Sequence, residues 1–273
     1  MPHLLRREEA LDTTQLDDLA EQPQRAARLV LAAAAAGEVE AQALLGQILL
    51  EGHGIQADPT LALTWFDIAA GRGHAMACNM TGRCHEHGWG CTADTKRAAD
   101  YYRRAADLGL DWGMYNLANL LATGRGVVKD HTTAYRLYRQ AAELGHAKSM
   151  NLTGRCLEDG CGVARDLATA HAWYARSAEA GDFRGQFSHA AVLIAERQWD
   201  AARHWLSLAL ELGHLKFIET ALASLQAACA AADRRYRRGL CAATRRATRR
   251  TTVNDAQKRK RPAWRGVHSA ATA

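Results

Sequence analysis

Two cysteines and two histidines occur close together in the segment Cys84-His85-Glu86-His87…Cys91. Thiolate and imidazole are preferred ligands of zinc in proteins, so metal binding is the first chemistry that this segment suggests. The spacing matches none of the common structural zinc patterns. Cys84 also occupies a position that elsewhere in the chain holds apolar residues, namely Ile48, Leu120 and Val192. The sequence therefore predicts small core residues in this segment and no bound metal.

The cysteines also suggest a redox alternative. Cys84 and Cys91 are close in sequence, as are Cys156 and Cys161, so each pair could meet between a helix and the loop that follows it. Cysteine reactivity depends on a lowered thiol pKa, and nothing in the sequence indicates one. The sequence therefore neither predicts nor excludes a redox role for these two cysteine pairs.

Other motifs do not indicate catalysis. The segment Gly52-His53-Gly54 and its later copies follow a predicted helix rather than a strand, and no Lys-Ser/Thr pair or third glycine completes a nucleotide-binding motif. The Gly-His pairs at 73–74, 145–146 and 213–214 are predicted to lie at helix ends, where imidazole can meet exposed carbonyls. No Ser-His-Asp or paired-carboxylate arrangement stands out. We therefore predict a protein that is not an enzyme and has no catalytic residue, no metal and no cofactor.

These residues belong to a sequence repeat with a period of 36 residues, which holds without an insertion from residue 41 to residue 185. The recurring positions in the first full repeat are Gly46, Gly52, Gly54, Asp58 and Gly73. A glycine just past a helix terminus supplies the positive φ that this position often needs. Aspartate is a preferred N-cap. Each copy is therefore predicted to be two helices joined by a Gly-x-Gly turn.

The repeats divide the chain into three predicted parts. Residues 1–25 are an N-terminal helical cap, and residues 26–232 are a solenoid. Its full repeats lie near 41–76, 77–112, 113–148 and 149–184, followed by a shortened repeat at 185–217 and a capping helix at 218–232. Residues 233–273 contain 13 Lys and Arg against two acidic residues. Such a composition predicts a basic, disordered tail.

Composition agrees with an all-α protein. Hydrophobic residues make up 48% of the chain, only four prolines occur, and runs rich in β-branched residues are absent. The most apolar stretch, residues 29–36, is too short to span a bilayer, and the N-terminus does not have the pattern of a signal peptide. Seven cysteines, an odd number, favour reduced thiols. We therefore expect a cytoplasmic protein without a membrane span.

The chain resembles the Sel1-like repeat family, a branch of the tetratricopeptide-like (TPR-like) proteins, over roughly residues 26–217. The resemblance is carried by the block Ala41…Leu45-Gly46…Gly52-His53-Gly54-Ile55…Asp58…Ala62…Trp65…Ala69-Ala70…Gly73…Ala77 and its copies. Thr81 and Thr153 depart from the leucine usual at their position. The resemblance implies a right-handed α-solenoid of helix–turn–helix repeats, and an adaptor or scaffold role without catalysis.

The resemblance also implies where a partner binds. In TPR-like solenoids the first helix of each repeat lines the concave side, with ligand-facing positions at fixed offsets from the repeat glycine. An asparagine there can hold a peptide backbone, and an arginine can pair with a carboxylate. The alternative is an ordinary solvated helix face. The groove residues implied are Asn79, Arg83 and Glu86 in repeat two, Tyr115, Asn116 and Asn119 in repeat three, and Asn151, Arg155 and Glu158 in repeat four.

Two functions follow as expectations. The first is an adaptor or scaffold that binds a protein or peptide partner in the groove. The alternative is association with nucleic acid or another anionic surface through the basic tail. The tail has a net charge of +11 and the rest of the chain −5, against +6 for the whole. Such a tail attracts polyanions.

Overall fold

A computed structural model describes residues 22–213, 217–218 and 221 of the chain. Within those residues every regular element is an α-helix, which confirms the predicted all-α class. Nowhere in this described part is a helix long and apolar enough to cross a membrane. The eleven helices described are α1 (Pro23–Ala35), α2 (Val39–Glu51), α3 (Pro59–Gly71), α4 (Ala75–His87), α5 (Thr95–Asp107), α6 (Asp111–Thr123), α7 (His131–Glu143), α8 (Ala147–Asp159), α9 (Leu167–Glu179), α10 (Phe183–Ala195) and α11 (Trp199–Leu212).

The described residues divide into two compact units, with the division between residues 170 and 171. In the first unit the two helices of each of the first three repeats pack on each other, as α2 does on α3, and each of these pairs packs on the first helix of the next repeat. Helix α1 begins 36 residues before α3 and is therefore equivalent to a second helix that precedes the first full repeat. Most of the predicted N-terminal cap (1–25), most of the predicted capping helix (218–232) and the whole tail (233–273) lie outside the described residues.

Local capping sets the ends of these helices. Gly52 and its three copies have φ between 70° and 75° and end the first helices in the left-handed conformation. Asp58 accepts the N–H of Leu61 at 2.9 Å, and Asp130 accepts that of Thr133 at 3.0 Å. The hydroxyl and N–H of Thr133 together hold the pKa of the Asp130 carboxyl below its usual range. The turn and cap roles predicted for these residues are confirmed.

An aromatic ring of the second helix packs on the glycine of the first helix. Phe66 is buried, and a Cβ added to Gly46 would lie 2.7 Å from its ring. Tyr102 is also buried, and a Cβ on Gly82 would lie 2.6 Å from that ring. Real Cβ atoms do not approach a ring so closely. In these two repeats glycine therefore lets the ring lie directly on the helix backbone.

The second glycine of each Gly-x-Gly turn packs on the preceding repeat. A Cβ on Gly54 would lie 2.1 Å from the carbonyl oxygen of Pro23, and one on Gly90 would lie 2.1 Å from that of Pro59. Pro23 and Pro59 are the first residues of α1 and α3. The turn therefore abuts the start of the previous second helix, and no side chain fits between them.

In the second unit, α10 and α11 keep the helix pair of the shortened repeat. Ala190 and Leu206 are buried between them, with Phe187 and Trp205 packed alongside. The short turn contains Arg197 at φ 62°, a left-handed conformation that costs a non-glycine residue free energy. The turn between α10 and α11 spans only residues 196–198, against residues 52–58 between α2 and α3, and it includes this strained residue.

Candidate functional site

Helices α2, α4, α6 and α8, the first helices of repeats one to four, form a surface that we call the first-helix face. Neighbouring first helices contact each other directly, since Asn116 on α6 donates from Nδ2 to Oδ1 of Asn79 on α4 at 2.8 Å. Residues 36 positions apart lie at equivalent places on this face. One such row changes in chemical character from helix to helix and consists of Glu40, Met76, Trp112 and Lys148.

The four predicted asparagines divide into two groups. Asn79 and Asn151 are each only 3% exposed, and Asn79 is engaged by Asn116 of the next repeat. Asn116 and Asn119 are half-buried, and Oδ1 of Asn119 accepts the hydroxyl of Tyr138 at 2.7 Å. Asn79 and Asn151 therefore lie within the packing of the face, and Asn116 and Asn119 lie nearer its surface.

Glu86 joins two repeats. Its side chain is 11% exposed and accepts the hydroxyl of Tyr102 at 2.7 Å and Nη2 of Arg125 at 2.6 Å. Burial, together with the hydrogen bond to Glu86, raises the pKa of Tyr102 far above its ordinary value. The resemblance predicts that the Glu86 carboxylate contacts a partner. In the structure it is paired with Arg125, a loop residue that sequence analysis did not single out.

The predicted arginines differ in their freedom. Arg83 is half-buried, with its guanidinium 5.0 Å from the ring centroid of Trp89. Such stacking holds the charge in place. Arg155 and Glu158 are exposed on α8. The structure therefore brings Asn79 and Asn116 together and holds Arg83 against a ring, while Arg155 remains open to solvent.

An aromatic cluster on the face was not identified from the sequence, apart from Tyr115. The ring centroids of Trp112 and Tyr115 lie 4.5 Å and 4.8 Å from that of His146. Lys148 places Nζ 4.8 Å from the ring centroid of Trp112, which is 36% exposed. The sequence did contain a signal for this cluster, because the residue type at equivalent positions changes along the row, from Glu40 in repeat one to Trp112 in repeat three.

The described histidines of the Gly-His pairs lie at helix ends as predicted, but the prediction that they meet exposed carbonyls is wrong. His74 accepts the N–H of Ala77 at 3.0 Å, and His146 accepts that of Ser149 at 3.3 Å, both through Nδ1. They therefore cap the start of the next helix rather than meeting carbonyls at the end of the preceding one. Burial lowers the pKa of His146 to about 4, so its ring is neutral at pH 7. His214 lies outside the described residues.

The cysteine-histidine segment is packed rather than arranged around an ion. Sγ of Cys91 lies 3.4 Å from Nδ1 of His85, while His87 is exposed and packs on Trp89 with 4.8 Å between ring centroids. Burial raises the pKa of Cys84 to about 12 and raises that of Cys91 as well. In the part of the chain that is described, no three His, Cys, Asp or Glu residues are grouped as metal ligands. A cavity of about 520 Å³ lies beside His85 and Cys91.

Comparison with known proteins identifies the repeat. The Sel1 repeat family model matches residues 39–74, 75–110, 113–146, 147–182 and 200–214. The first, second and fourth of these begin two residues before the predicted repeats. No match is found among curated protein sequences.

Two solved structures are similar to the chain. One is a Sel1 repeat protein from Oxalobacter formigenes, 29% identical, with a TM-score of 0.63 and 68% of this chain and 76% of that chain covered. The other is a protective antigen of uropathogenic Escherichia coli strains that displays an SLR fold. It is 23% identical with a TM-score of 0.66, and the match covers 82% of this chain but only 49% of that one. Both support the predicted helical-repeat solenoid. The chain belongs to the Sel1 repeat family.

Proposed function

We propose that the chain is an interaction module, an adaptor or scaffold that binds a peptide or partner protein on the first-helix face of repeats two to four. The observation that carries the proposal is the row Glu40, Met76, Trp112 and Lys148, in which equivalent surface positions differ in chemistry while the packing residues repeat. A large, partly exposed aromatic side chain beside a cation is typical of binding hot spots. A row that served packing alone would have no need of such variety.

The structure supports a division of roles among the predicted residues. Tyr115, Asn116, Asn119, Arg155 and Glu158 are half-buried or exposed and are proposed to contact the partner. Four others are proposed to hold these helices in register, because three of them have nearly inaccessible side chains and the fourth, Arg83, stacks on Trp89. They are Asn79, Arg83, Glu86 and Asn151.

The proposal assigns no catalytic residue, metal or cofactor. Burial raises the pKa of the thiols of Cys84, Cys91 and Cys156, so at pH 7 they are protonated and weakly nucleophilic. This supports a packing role for the cysteines. The five described cysteines are free thiols, which fits the proposal of a reducing compartment such as the cytoplasm.

Partner capture from the native cell tests the proposal. The wild type is compared with Asn116→Ala/Arg155→Ala, which alters the first-helix face, and with Arg136→Ala/Gln140→Ala, which alters exposed positions of the second helix α7. Captured proteins are identified by mass spectrometry and titrated against all three chains. We expect the first variant to lose the partner and the second to keep it. Equal capture by all three would place the binding surface elsewhere.

The basic tail supports the alternative function, because its charge is opposite to that of the rest of the chain. Binding of a polynucleotide or an anionic vesicle through the tail would weaken steeply as salt rises. A chain that ends at residue 232 would lose such binding and keep its cooperative melt, since residues 233–273 contain no copy of the repeat. Retention of polyanion binding without the tail would exclude this function.

A further inference from the structure

The first repeat junction shows what the ring of a capping histidine pairs with. Nδ1 of His74 accepts the N–H of Ala77 at 3.0 Å. Because a backbone N–H can only donate, Nδ1 carries no proton, and the neutral ring carries its proton on Nε2. That Nε2 lies 3.0 Å from Oε2 of Glu40 on α2. At this junction a carboxylate from the preceding first helix pairs with the imidazole N–H.

His146 repeats this arrangement two repeats later without the carboxylate. Its Nδ1 accepts the N–H of Ser149 at 3.3 Å and lies 2.7 Å from the hydroxyl of the same residue, so the proton is again on Nε2. The residue is 6% exposed, and its Nε2 has no hydrogen-bond partner among the described residues. The position that Glu40 occupies relative to His74 is occupied by Trp112 relative to His146. Buried donors without a partner are rare and costly.

The surroundings of this N–H fit an anion that is joined to an apolar group. The rings of Trp112 and Tyr115 flank the imidazole, and Lys148 brings a positive charge to the outer ring. An aromatic face is only a weak acceptor for an N–H, so ring contacts leave most of its desolvation uncompensated. The nearby Asp111 carboxylate accepts the backbone N–H of Trp112 at 2.7 Å and is not a partner of the imidazole N–H. Trp112, as the most exposed member, is the side chain that a ligand can displace.

We propose that the site formed by His146, Trp112, Tyr115 and Lys148 binds an acidic side chain of the partner. Once Trp112 has moved aside, the imidazole N–H donates to the carboxylate as His74 does to Glu40, Lys148 neutralises its charge, and the ring of Tyr115 contacts an adjacent apolar residue. This inference rests on the proposed function, because it names the chemistry that the partner presents to the first-helix face.

Four acetylated peptides test the recognition directly on the full chain. Two have the sequence Ala-Leu-Xaa-Leu-Ala-amide with Xaa as Glu or Gln, and two have Xaa as Ala with either a free or an amidated C-terminus. Binding is followed through the NMR signals of the His146 ring and the Trp112 indole. We expect the Glu peptide to bind about tenfold tighter than the Gln peptide, the effect of one charge-assisted hydrogen bond.

Variants taken from the chain's own repeats keep the fold as a control. His146→Asn retains a capping side chain and removes the imidazole N–H. Lys148→Met introduces the residue found at the equivalent position 76. Both should reduce the affinity for the Glu peptide to that for the Gln peptide. Trp112→Glu, which copies the residue at the equivalent position 40, should supply an internal carboxylate, raise the pKa of His146 and abolish Glu-peptide binding, whereas Trp112→Gln should not raise the pKa.

Several results would overturn the inference. They are equal affinity for the Glu and Gln peptides, binding of neither, binding of the free C-terminus alone, and an unchanged pKa of His146 in Trp112→Glu. The proposed function is separable from it. If the natural partner is still captured by His146→Asn/Lys148→Met but lost by Asn116→Ala/Arg155→Ala, the carboxylate site is rejected and the first-helix face remains the binding surface.

Discussion

Replacing Gly90 by alanine should weaken the junction between the first and second repeats. Gly90 has φ 72°, and a Cβ there would lie 2.1 Å from the carbonyl oxygen and 2.4 Å from the carbonyl carbon of Pro59. These are backbone atoms at the start of α3, so they cannot rotate away as a side chain could. The start of α3 must move away from the turn, and the contact between the two repeats is lost.

A matched control separates the two sources of cost. Gly109 also has a positive φ, 82°, but a Cβ there would meet nothing within 4 Å. Gly109→Ala therefore has only the left-handed strain, about 1–2 kcal/mol. Gly90→Ala has this strain plus the cost of forcing apart packed atoms, about 1–3 kcal/mol more. The expected total for Gly90→Ala is about 2–5 kcal/mol.

The assay is urea unfolding followed by circular dichroism, together with amide hydrogen exchange. Repeat arrays can unfold in parts, so the exchange rates show where stability is lost. We expect Gly90→Ala to increase exchange at the start of α3 and in the turn after α4, and Gly109→Ala to leave both protected. Equal loss of stability in the two variants would refute the reasoning, because backbone strain alone would then explain the glycine.

Three further predictions concern binding, pH and metal. Asn116→Ala/Arg155→Ala should weaken binding of the captured partner by about 1–3 kcal/mol, measured by titration. It should also lower the free energy of unfolding by about 1–3 kcal/mol, because Oδ1 of the buried Asn79 loses its donor. Burial lowers the pKa of His146 to about 4, against about 6.5 in the unfolded chain. Between pH 4 and pH 6.5, His146 therefore binds a proton in unfolded molecules but not in folded ones. The stability contributed by the neutral His146 should therefore be complete above about pH 6.5. As the pH drops from 6.5 to 4, the free energy of unfolding should fall by about 2–3 kcal/mol. His189, whose pKa is also lowered by burial, contributes with the same sign. Urea unfolding of His146→Asn at several pH values should show a shallower dependence, and an unchanged slope would contradict the assignment. A chelator should leave the helical signal and melting midpoint unchanged, since the caps and apolar contacts are complete without an ion, whereas stoichiometric zinc whose removal unfolds the protein would refute this.

Much of the fold could be predicted from the sequence because its determinants are local. The positive φ of Gly52 and the cap from Asp58 to Leu61 involve residues within one turn, so a period of 36 residues is enough to place the helices. The Sel1-like resemblance depends on the same positions. Since these interactions recur in each copy, one repeat predicts the next.

The arrangement of polar groups on the first-helix face depends on contacts between residues more than 30 positions apart. The sequence could place Asn79 and Asn116 on first helices, but not show that one donates to the other. It placed Glu86 on the face without showing that Arg125 pairs with it. Packing between repeats decides which polar atoms are already paired and which stay available, and that balance differs from copy to copy. His146 illustrates this most clearly, because the period alone makes it the equivalent of His74, and only the packing of Trp112 in the place of Glu40 leaves its N–H without a partner among the described residues.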